Sequence, residues 1–277
     1  MNITEIIQKR HSVRTYDTHP LTEEEKAELI SAVDTATDPF GGQVTIRLRS
    51  VDPANDFKPS TYGVIKGAAD YFLIGIGSDE ASALSAGFRF EQVVLKATEM
   101  GLGTCWIAAT FRGTVFSRGI DWPDGQQLRI VSPVGRPHRP RLLERVTRMT
   151  FRSDKRMPFE TLFFDKDFNT PLSPEGRFAE ALRMLRLAPS STNSQPWRAL
   201  VDGDCVHFYY QLKSPLSILD CGIALSHFYL AQQASGAIGR FYKEAGHPVP
   251  PEGLKYLYSY IDTSDSDTSD DSAELFC

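Results

Sequence analysis

The sequence has no long apolar segment. Its longest uninterrupted apolar run, around Tyr71 to Gly77, is far shorter than the ~20 residues that a membrane-spanning helix requires. The N-terminal stretch MNITEIIQKRHSVR carries charged residues where a secretory signal peptide would have its apolar region. These two absences predict a protein that neither enters a membrane nor is secreted, and we expect it in the cytoplasm.

Cysteine is scarce. Its four positions, Cys105, Cys205, Cys221 and Cys277, show no CxxC spacing. Without an export signal they are predicted to be reduced thiols rather than a disulfide framework or a zinc site. Metal-ligand spacing and a Ser-His-Asp arrangement are also missing, so we predict neither a metal site nor a catalytic side chain.

Basic residues are missing from the C-terminal segment. The whole chain has 30 Lys and Arg against 35 Asp and Glu, a net charge of −5. Residues 262–277 hold six of the acids and no base, which leaves 29 acids against 30 bases elsewhere. Because Ser, Thr and Asp alternate there with almost no apolar content, we predict an acidic disordered tail over residues 262–277. The net charge therefore does not exclude an acidic ligand.

The rest of the composition, with 41% hydrophobic and 11% aromatic residues, is that of a globular protein. Thr22 to Glu25 predicts a capping box at a helix start, and Phe90 to Met100 follows helical spacing up to Gly101. Residues 159–176 resemble an irregular connector, Ser173-Pro174 suits the start of another helix, and Asp202-Gly203 suits a hairpin turn. Strands are predicted at Thr45–Val51, Tyr71–Gly77 and Leu128–Gly135.

A weak internal repeat connects the two halves of the chain. A shift of 135 positions aligns Gly87 with Gly222, Leu95 with Leu230 and Gly101 with Gly236. A repeat of this length predicts two similar halves packed as a pseudo-dimer within one chain.

Three segments favour binding of a phosphate and a heteroaromatic ring. Arg10 to Arg14 (RHSVR) offers two guanidinium groups and a hydroxyl, which can clamp a phosphate, although a solvated helix end would look the same. Arg136 to Arg141 alternates Arg with Pro and projects its side chains from an extended backbone. Ala188 to Trp197 (APSSTNSQPW) is rich in amides and hydroxyls that can bind a ring edge, but it could also be an ordinary turn.

Four segments together resemble the signatures of the FMN-dependent nitroreductase family. They are RHSVRTYD, GLGTCWIAATF (Gly101–Phe111), VGRPHRPR (Val134–Arg141) and APSSTNSQPW. The resemblance spans most of residues 1–200 and implies an α+β nitroreductase-like fold. Members of this family are usually homodimers with FMN at the subunit interface.

The resemblance also implies which residues bind FMN. The phosphate would be held by Arg10, His11, Ser12, Arg14, Arg139 and Arg141. Backbone amides near the flavin N5 edge would come from Ile107, Ala108 and Ala109. The polar loop, which the other subunit contributes in the family, would cover the opposite side with Pro189, Ser190, Ser191 and Asn193.

The order of these motifs departs from the family pattern. In the family the polar loop follows RxSxR by a few tens of residues in the same subunit. Here that position reads ATDPFGGQVTIRL (Ala36–Leu48), and the loop occurs only in the second half, which has no RxSxR. The chain therefore resembles the branch with two fused nitroreductase-like halves. We predict halves at residues 1–157 and 158–261, forming a pseudo-dimeric monomer with one composite FMN site.

The resemblance implies an FMN-dependent oxidoreductase of the nitroreductase type. It would pass a hydride from NAD(P)H through flavin N5 to a small acceptor such as a nitroaromatic or a quinone. Because the flavin would carry the electrons, no side-chain acid or base is required. The alternatives are a variant performing reductive dehalogenation, a flavin-binding protein without turnover, and RNA binding through residues 136–156. The net charge outside the tail is close to zero, and the sequence has no recognised nucleic-acid-binding motif. Both observations argue against RNA binding.

Overall fold

The computed structural model describes residues 1–51, 57–138 and 155–264. The chain divides into two compact units. Unit 1 consists of Met1 and Glu5–Ser153, and unit 2 of Asn2–Thr4 and Asp154–Cys277. Within the described ranges, no helix is both long enough and apolar enough to cross a membrane.

From Ile3 to Gly135 the described residues form four helices and the four strands of one antiparallel sheet. The helices are α1 (Ile3–Lys9), α2 (Glu23–Thr35), α3 (Glu80–Glu99) and α4 (Gly113–Phe116). The strands are β1 (Val44–Ser50), β2 (Asp70–Ile76), β3 (Gly103–Thr104) and β4 (Gln127–Gly135), in the order β1-β2-β4-β3. The three predicted strands are confirmed, as is the capping box, in which Thr22 and Glu25 satisfy each other's backbone amides.

The core of unit 1 forms around β2, all of whose residues are buried. This explains why the segment is continuously apolar rather than alternating. Helix α3 packs against β1, β2 and β3, and it buries Phe88, Phe90 and Val94. A second cluster joins Phe57, Tyr71 and Phe116 edge to face, with ring centroids of Tyr71 and Phe116 5.3 Å apart.

Unit 2 is built from a five-stranded sheet and two helices packed against each other. The strands are β5 (Phe163–Asp165), β6 (Trp197–Asp202), β7 (Cys205–Gln211), β8 (Gly239–Tyr242) and β9 (Leu254–Asp262), in the order β5-β6-β7-β9-β8. The helices are α5 (Ala179–Arg186) and α6 (Ser217–Ala234). Strand β5 is parallel to β6, and the other neighbours are antiparallel. Aromatic rings of β7, β9 and α6 fill the core edge to face, with the ring centroid of Phe228 5.1 Å from those of both Phe208 and Tyr260.

The two units share a strand order and a helix position. The order β1-β2-β4-β3 in unit 1 corresponds to β6-β7-β9-β8 in unit 2. In the sequence, a shift of 135 positions aligns Asp70–Ile76 with Cys205–Gln211. The same shift aligns the last residue of α3 with the last residue of α6. The predicted repeat therefore has a structural counterpart in the topology of each unit.

The ends of α3 and α6 repeat the same hydrogen-bond pattern. Gly101 and Gly236 both have positive φ, of 77° and 84°. After each glycine the chain turns back, so that Leu102 N donates to Ala97 O at 2.8 Å and Ala237 N donates to Gln232 O at 3.1 Å. Both helices thus end in a Schellman-type cap, which favours glycine because the left-handed region is costly for other residues.

Three sequence-based expectations for the second half were wrong. Cys205, which was predicted to be a reduced thiol, is disulfide-bonded. The helix expected at Ser173-Pro174 begins only at Ala179, because Gly176 has a φ of 129° and lies outside helical geometry. The Ser173 hydroxyl accepts a hydrogen bond from the Glu175 amide and forms a turn instead. The expected irregular connector contains β5, whose backbone pairs with β6.

The end of the described chain is ordered further than the sequence suggests. Strand β9 includes Asp262, the first residue of the predicted acidic tail. The Asp262 carboxylate is buried and lies 2.9 Å from Arg177 Nε. Residues 265–277, which hold the remaining acidic residues of that tail, lie outside the described ranges.

Candidate functional site

The RHSVR segment follows α1 and lies against the start of GLGTCW. Ser12 forms an isolated β-bridge with Thr104, and the Val13 amide donates to Thr104 O at 2.8 Å. Val13 is buried directly against Gly103, where an added Cβ would lie only 2.5 Å from Val13 Cγ2. Gly103 therefore allows the two predicted motifs to meet within unit 1.

Arg10 is enclosed beside a buried acid. Its side chain is 7% exposed, and its Nε lies 3.7 Å from Oε1 of Glu91, a residue of α3 whose side chain is 0% exposed. No described residue accepts a hydrogen bond from Arg10 Nε. Burial lowers the pKa of Arg10, and the Glu91 carboxylate partly opposes that shift. The indole Nε1 of Trp106, within GLGTCW, donates to Glu91 Oε2 at 2.9 Å.

The other residues of the predicted phosphate segment differ in accessibility. Arg14 is half-buried, and its carbonyl accepts a hydrogen bond from the Lys66 amide at 2.9 Å. Within the described part of the chain, the Arg14 guanidinium has no hydrogen bond or ion pair, so its donors are available to a ligand. His11 is exposed, and its Nδ1 hydrogen-bonds the Lys9 carbonyl at 2.9 Å.

The three predicted amide donors near residue 108 are not equivalent. Ile107 is buried and exchanges two backbone hydrogen bonds of 3.0 Å with Val131. The expectation that the Ile107 amide serves a ligand is therefore corrected, because that amide is already used within the sheet. Ala108 is half-buried, Ala109 is exposed, and no described residue accepts a hydrogen bond from either amide.

The second basic segment is placed only in part. Arg136 Nη2 lies 2.7 Å from Glu25 Oε1, so this guanidinium is paired with the start of α2. The His138 amide donates to Thr15 O at 3.0 Å and holds the segment in an extended conformation. Arg139 and Arg141 lie outside the described residues, and they remain predictions.

The polar loop of unit 2 has an unusual backbone. Thr192, Asn193 and Gln195 have positive φ angles of 51°, 57° and 45°. Asn tolerates this region, but a β-branched Thr rarely adopts it. Such conformations cost on the order of 1–3 kcal/mol each and persist only where surrounding contacts impose them.

Hydrogen bonds within unit 2 impose this conformation. Gln195 is buried, and its amide donates to Ser190 Oγ at 2.9 Å. Asn193 Nδ2 donates to Lys155 O at 2.7 Å, and Arg156 Nη1 donates to Asn193 Oδ1 at 3.1 Å. The predicted ligands Ser190 and Asn193 thus also build the loop, and substituting either one would alter its shape.

A buried carboxyl group in α6 anchors the middle of the loop. The Ser191 amide donates to Asp220 Oδ2 at 3.0 Å. Asp220 is 3% exposed, and its burial raises its pKa to about 7, while the Ser191 hydrogen bond acts in the opposite direction. The neighbouring Pro189 is half-buried and has no backbone N–H to offer.

The corresponding segment of unit 1 is closed onto α3. Ser85, the equivalent of Asp220 in the repeat, accepts a hydrogen bond from the Gly42 amide at 2.9 Å. Its hydroxyl in turn donates to Asp38 Oδ1 at 2.5 Å. Residues 36–43 therefore take the position of the polar loop between a helix and a strand, but they lack its Ser-Ser-Thr-Asn sequence.

Sequence reasoning missed Glu91, Trp106 and Asp220. Both acids lie within helices among apolar residues, and an acid on a buried helix face is a usable signal for a paired or functional group. Two buried histidines of unit 2 are hydrogen-bonded within the fold: His207 Nδ1 lies 2.7 Å from Ser259 Oγ, and His227 Nδ1 lies 3.0 Å from Met184 O. The described residues contain no group of His, Cys, Asp and Glu suited to a metal ion.

The described residues of unit 1 thus combine the Arg14 guanidinium, which none of them pairs, with a buried Arg–Glu pair and the unbonded backbone amides of Ala108 and Ala109. Guanidinium groups and free amides are suited to binding a phosphate and a carbonyl-rich ring edge. Unit 2 has a loop of its own that presents hydroxyl and carboxamide groups.

The chain resembles proteins of one family over most of its length. The sequence profile of the family described as "Putative TM nitroreductase" matches residues 2–232. A solved structure titled "putative nitroreductase" from Thermotoga maritima MSB8 is 23% identical with a TM-score of 0.61, covering 94% of this chain and 94% of that chain. This likeness shows a common fold over nearly the whole of both chains.

Two shorter solved structures match about half of the chain. A nitroreductase family protein from Clostridium novyi NT is 20% identical with a TM-score of 0.41, covering 50% of this chain and 87% of that chain. A "putative nitroreductase in complex with FMN" from Desulfovibrio desulfuricans is 20% identical with a TM-score of 0.41, covering 51% of this chain and 93% of that chain. No curated protein matches the chain.

Proposed function

This chain belongs to the nitroreductase family whose profile matches residues 2–232, and on that premise we propose that it is an FMN-dependent oxidoreductase. Its electron donor would be NAD(P)H and its acceptor a small molecule such as a nitroaromatic or a quinone. One observation of the structure carries this proposal. The Ser12–Thr104 bridge joins the segment of the unpaired Arg14 to the segment that bears the free amides of Ala108 and Ala109.

The residues of unit 1 fit the phosphate and the ring of FMN. An unpaired Arg14 guanidinium and an Arg10 Nε without a hydrogen-bond partner are donors for a phosphate. We propose that these two residues, with His11, Ser12, Arg139 and Arg141, hold the phosphate. We assign amide donation to the ring to Ala108 and Ala109, with Ile107 as their anchor in the sheet.

Unit 2 would supply the polar loop. We propose that Pro189, Ser190, Ser191 and Asn193 contribute to the same single site, as the family resemblance implies. When bound, FMN would supply the redox chemistry by accepting a hydride at N5 and passing it on. The side chains of this protein would bind and orient the ring, and no side chain needs to transfer a proton.

Titration of the flavin-free protein with FMN and with riboflavin tests the phosphate assignment. We expect the Arg10→Ala/Arg14→Ala variant to bind FMN at least ~100-fold more weakly, because each charge-assisted contact contributes about 1.5–3 kcal/mol. Its affinity for riboflavin, which lacks the phosphate, should change little. Arg240→Ala, which removes an exposed arginine from β8, is the matched control and should bind FMN like the wild type.

The stoichiometry and the turnover separate the proposal from its alternatives. We expect one FMN per chain, and a measured value of two would contradict a single composite site. Anaerobic stopped-flow with NADH and NADPH should show bleaching of the flavin absorbance. If the protein binds FMN but neither NADH nor NADPH reduces the bound flavin, the protein would be a flavin-binding protein without turnover.

A further inference from the structure

Glu91 is a buried carboxylate in the middle of α3. Its side chain is 0% exposed, and the helix positions around it, such as Phe90 and Val94, are apolar. Burying a charged group is costly unless it is paired. A mid-helix acid in this environment therefore needs partners that compensate for its lost hydration.

Its partners come from two of the segments proposed to bind FMN. Arg10 of the RHSVR segment places Nε 3.7 Å from Glu91 Oε1, and Trp106 of the GLGTCW segment donates to Glu91 Oε2 at 2.9 Å. Trp106 precedes the free amides of Ala108 and Ala109 by two and three residues. One carboxylate thus contacts both the cationic and the amide-bearing segment of unit 1.

Unit 2 provides an internal comparison for this residue. The position equivalent to Glu91 under the 135-residue shift is Ser226, which is also buried. Its hydroxyl forms no hydrogen bond with any residue of the described ranges. Unit 2 has no RxSxR segment, so the repeat carries an acid at this position only in the unit that also carries the arginine.

The contact with Glu91 leaves part of the Arg10 guanidinium uncommitted. The 3.7 Å separation is an ion pair without a hydrogen bond, since Arg10 Nε has no hydrogen-bond partner. Glu91 therefore attracts the guanidinium and restrains it without using its Nε donor. Such an arrangement can orient an arginine toward a second anion.

We propose that Glu91 is a positioning residue for the phosphate site, acting through Arg10 and holding it in register with the segment of Trp106. This inference rests on the proposed FMN function. It predicts that the charge of Glu91 affects recognition of the phosphate and not recognition of the ring.

Binding of FMN and of riboflavin to Glu91→Gln tests this role. Gln keeps the size of the side chain and can still accept from Trp106, but it loses the charge that restrains Arg10. We expect FMN to bind about tenfold more weakly, equivalent to about 1.4 kcal/mol, with riboflavin affinity changed less than about twofold. Ser226→Ala is the matched control at the equivalent position of unit 2 and should leave both affinities unchanged.

A double-mutant cycle shows whether Glu91 acts through Arg10. In an Arg10→Ala background, Glu91→Gln should weaken FMN binding no further, because the residue that it positions is gone. If Glu91→Gln does not fold, Glu91→Asp provides the same cycle with a smaller expected loss, since it retains the charge but retracts it from Arg10.

Three results would overturn the inference. Wild-type affinity for FMN in Glu91→Gln, equal losses for FMN and riboflavin, or full additivity with Arg10→Ala would each exclude positioning through Arg10. In all three cases the wild-type protein still binds FMN, so the proposed function stands. A wild-type protein that binds no FMN would instead remove the proposed function together with this inference.

Discussion

At the scale of single residues, Asp220, which accepts a hydrogen bond from the polar loop, makes the stability of the fold depend on pH. Its burial raises its pKa to about 7, so the neutral acid is the form favoured in the folded protein. In the unfolded chain the same group ionises near pH 4. Between these two values the folded state binds more protons than the unfolded state, and the free energy of unfolding therefore falls as the pH rises.

We expect this group to lower the free energy of unfolding by about 2–3 kcal/mol between pH 5 and pH 8. Asp220→Asn, which cannot ionise, should lose that part of the pH dependence. Urea unfolding of both proteins at several pH values measures the difference. Glu252→Gln, which removes an exposed acid from the same unit, should behave like the wild type. Parallel pH profiles for Asp220→Asn and the wild type would contradict the assignment.

At the scale of secondary-structure elements, the close approach of RHSVR to β3 depends on the absence of one methyl group. An added Cβ at Gly103 would lie 2.5 Å from Val13 Cγ2, well inside van der Waals contact. Because Val13 is buried and its amide is bonded to Thr104, the segment cannot move away without breaking that hydrogen bond.

Gly103→Ala should therefore destabilise the protein by about 1–3 kcal/mol, the usual cost of overpacking a core. It should also weaken FMN binding, since Arg10 and Arg14 flank Val13. Chemical denaturation and FMN titration measure these two effects. In Gly113→Ala, at the start of α4, the new methyl group would meet only Phe111 at 3.8 Å, and this control should be neutral. A Gly103→Ala variant of wild-type stability would show that the segment can shift.

The two helices α3 and α6 keep the same backbone positions within the repeat, although their side chains differ. Their glycine caps and the strands that precede them keep the same spacing. The side chains between these points differ according to the neighbouring motif: Ser85 and Glu91 in unit 1 are replaced by Asp220 and Ser226 in unit 2. The backbone frame is therefore repeated, whereas the polar chemistry is distributed between the units.

At the scale of the whole molecule, the acidic C-terminal segment is attached to unit 2 through its first residues. Asp262 pairs with Arg177, and the Thr263 amide donates to Ile238 O at 2.6 Å. These contacts attach the end of β9 to neighbouring parts of unit 2. The acidic residues that follow carry most of the negative charge of the chain end and belong to none of the segments proposed to bind FMN.

We expect deletion of residues 265–277 to leave FMN affinity and the free energy of unfolding unchanged. Deletion from Asp262 onward should lower the free energy of unfolding by roughly 1–3 kcal/mol, because it leaves the Arg177 side chain without this partner. Thermal or urea unfolding of the two truncated proteins, compared with the full chain, makes this distinction. Equal stability of both truncations would contradict a structural role for Asp262.

The sequence by itself determined the local structure and the motifs. Strands β1, β2 and β4, the capping box at α2, the glycine ends of α3 and α6 and the repeat could all be predicted. Apolar periodicity and turn chemistry are short-range properties that the chain carries whatever its tertiary contacts. The family signatures are likewise contiguous, so they were readable together with the site residues that they imply.

Only the tertiary structure decided which polar groups form hydrogen bonds or ion pairs within the fold. The Ile107 amide donates to Val131, Glu91 lies beside Arg10, and Asp220 accepts from the Ser191 amide. The two residues of each pair are at least 15 positions apart in the sequence. Such pairs depend on how strands and helices pack, and no local pattern encodes them. Burial then fixes their energetics, because a charge or an amide withdrawn from water must find its partner inside the fold.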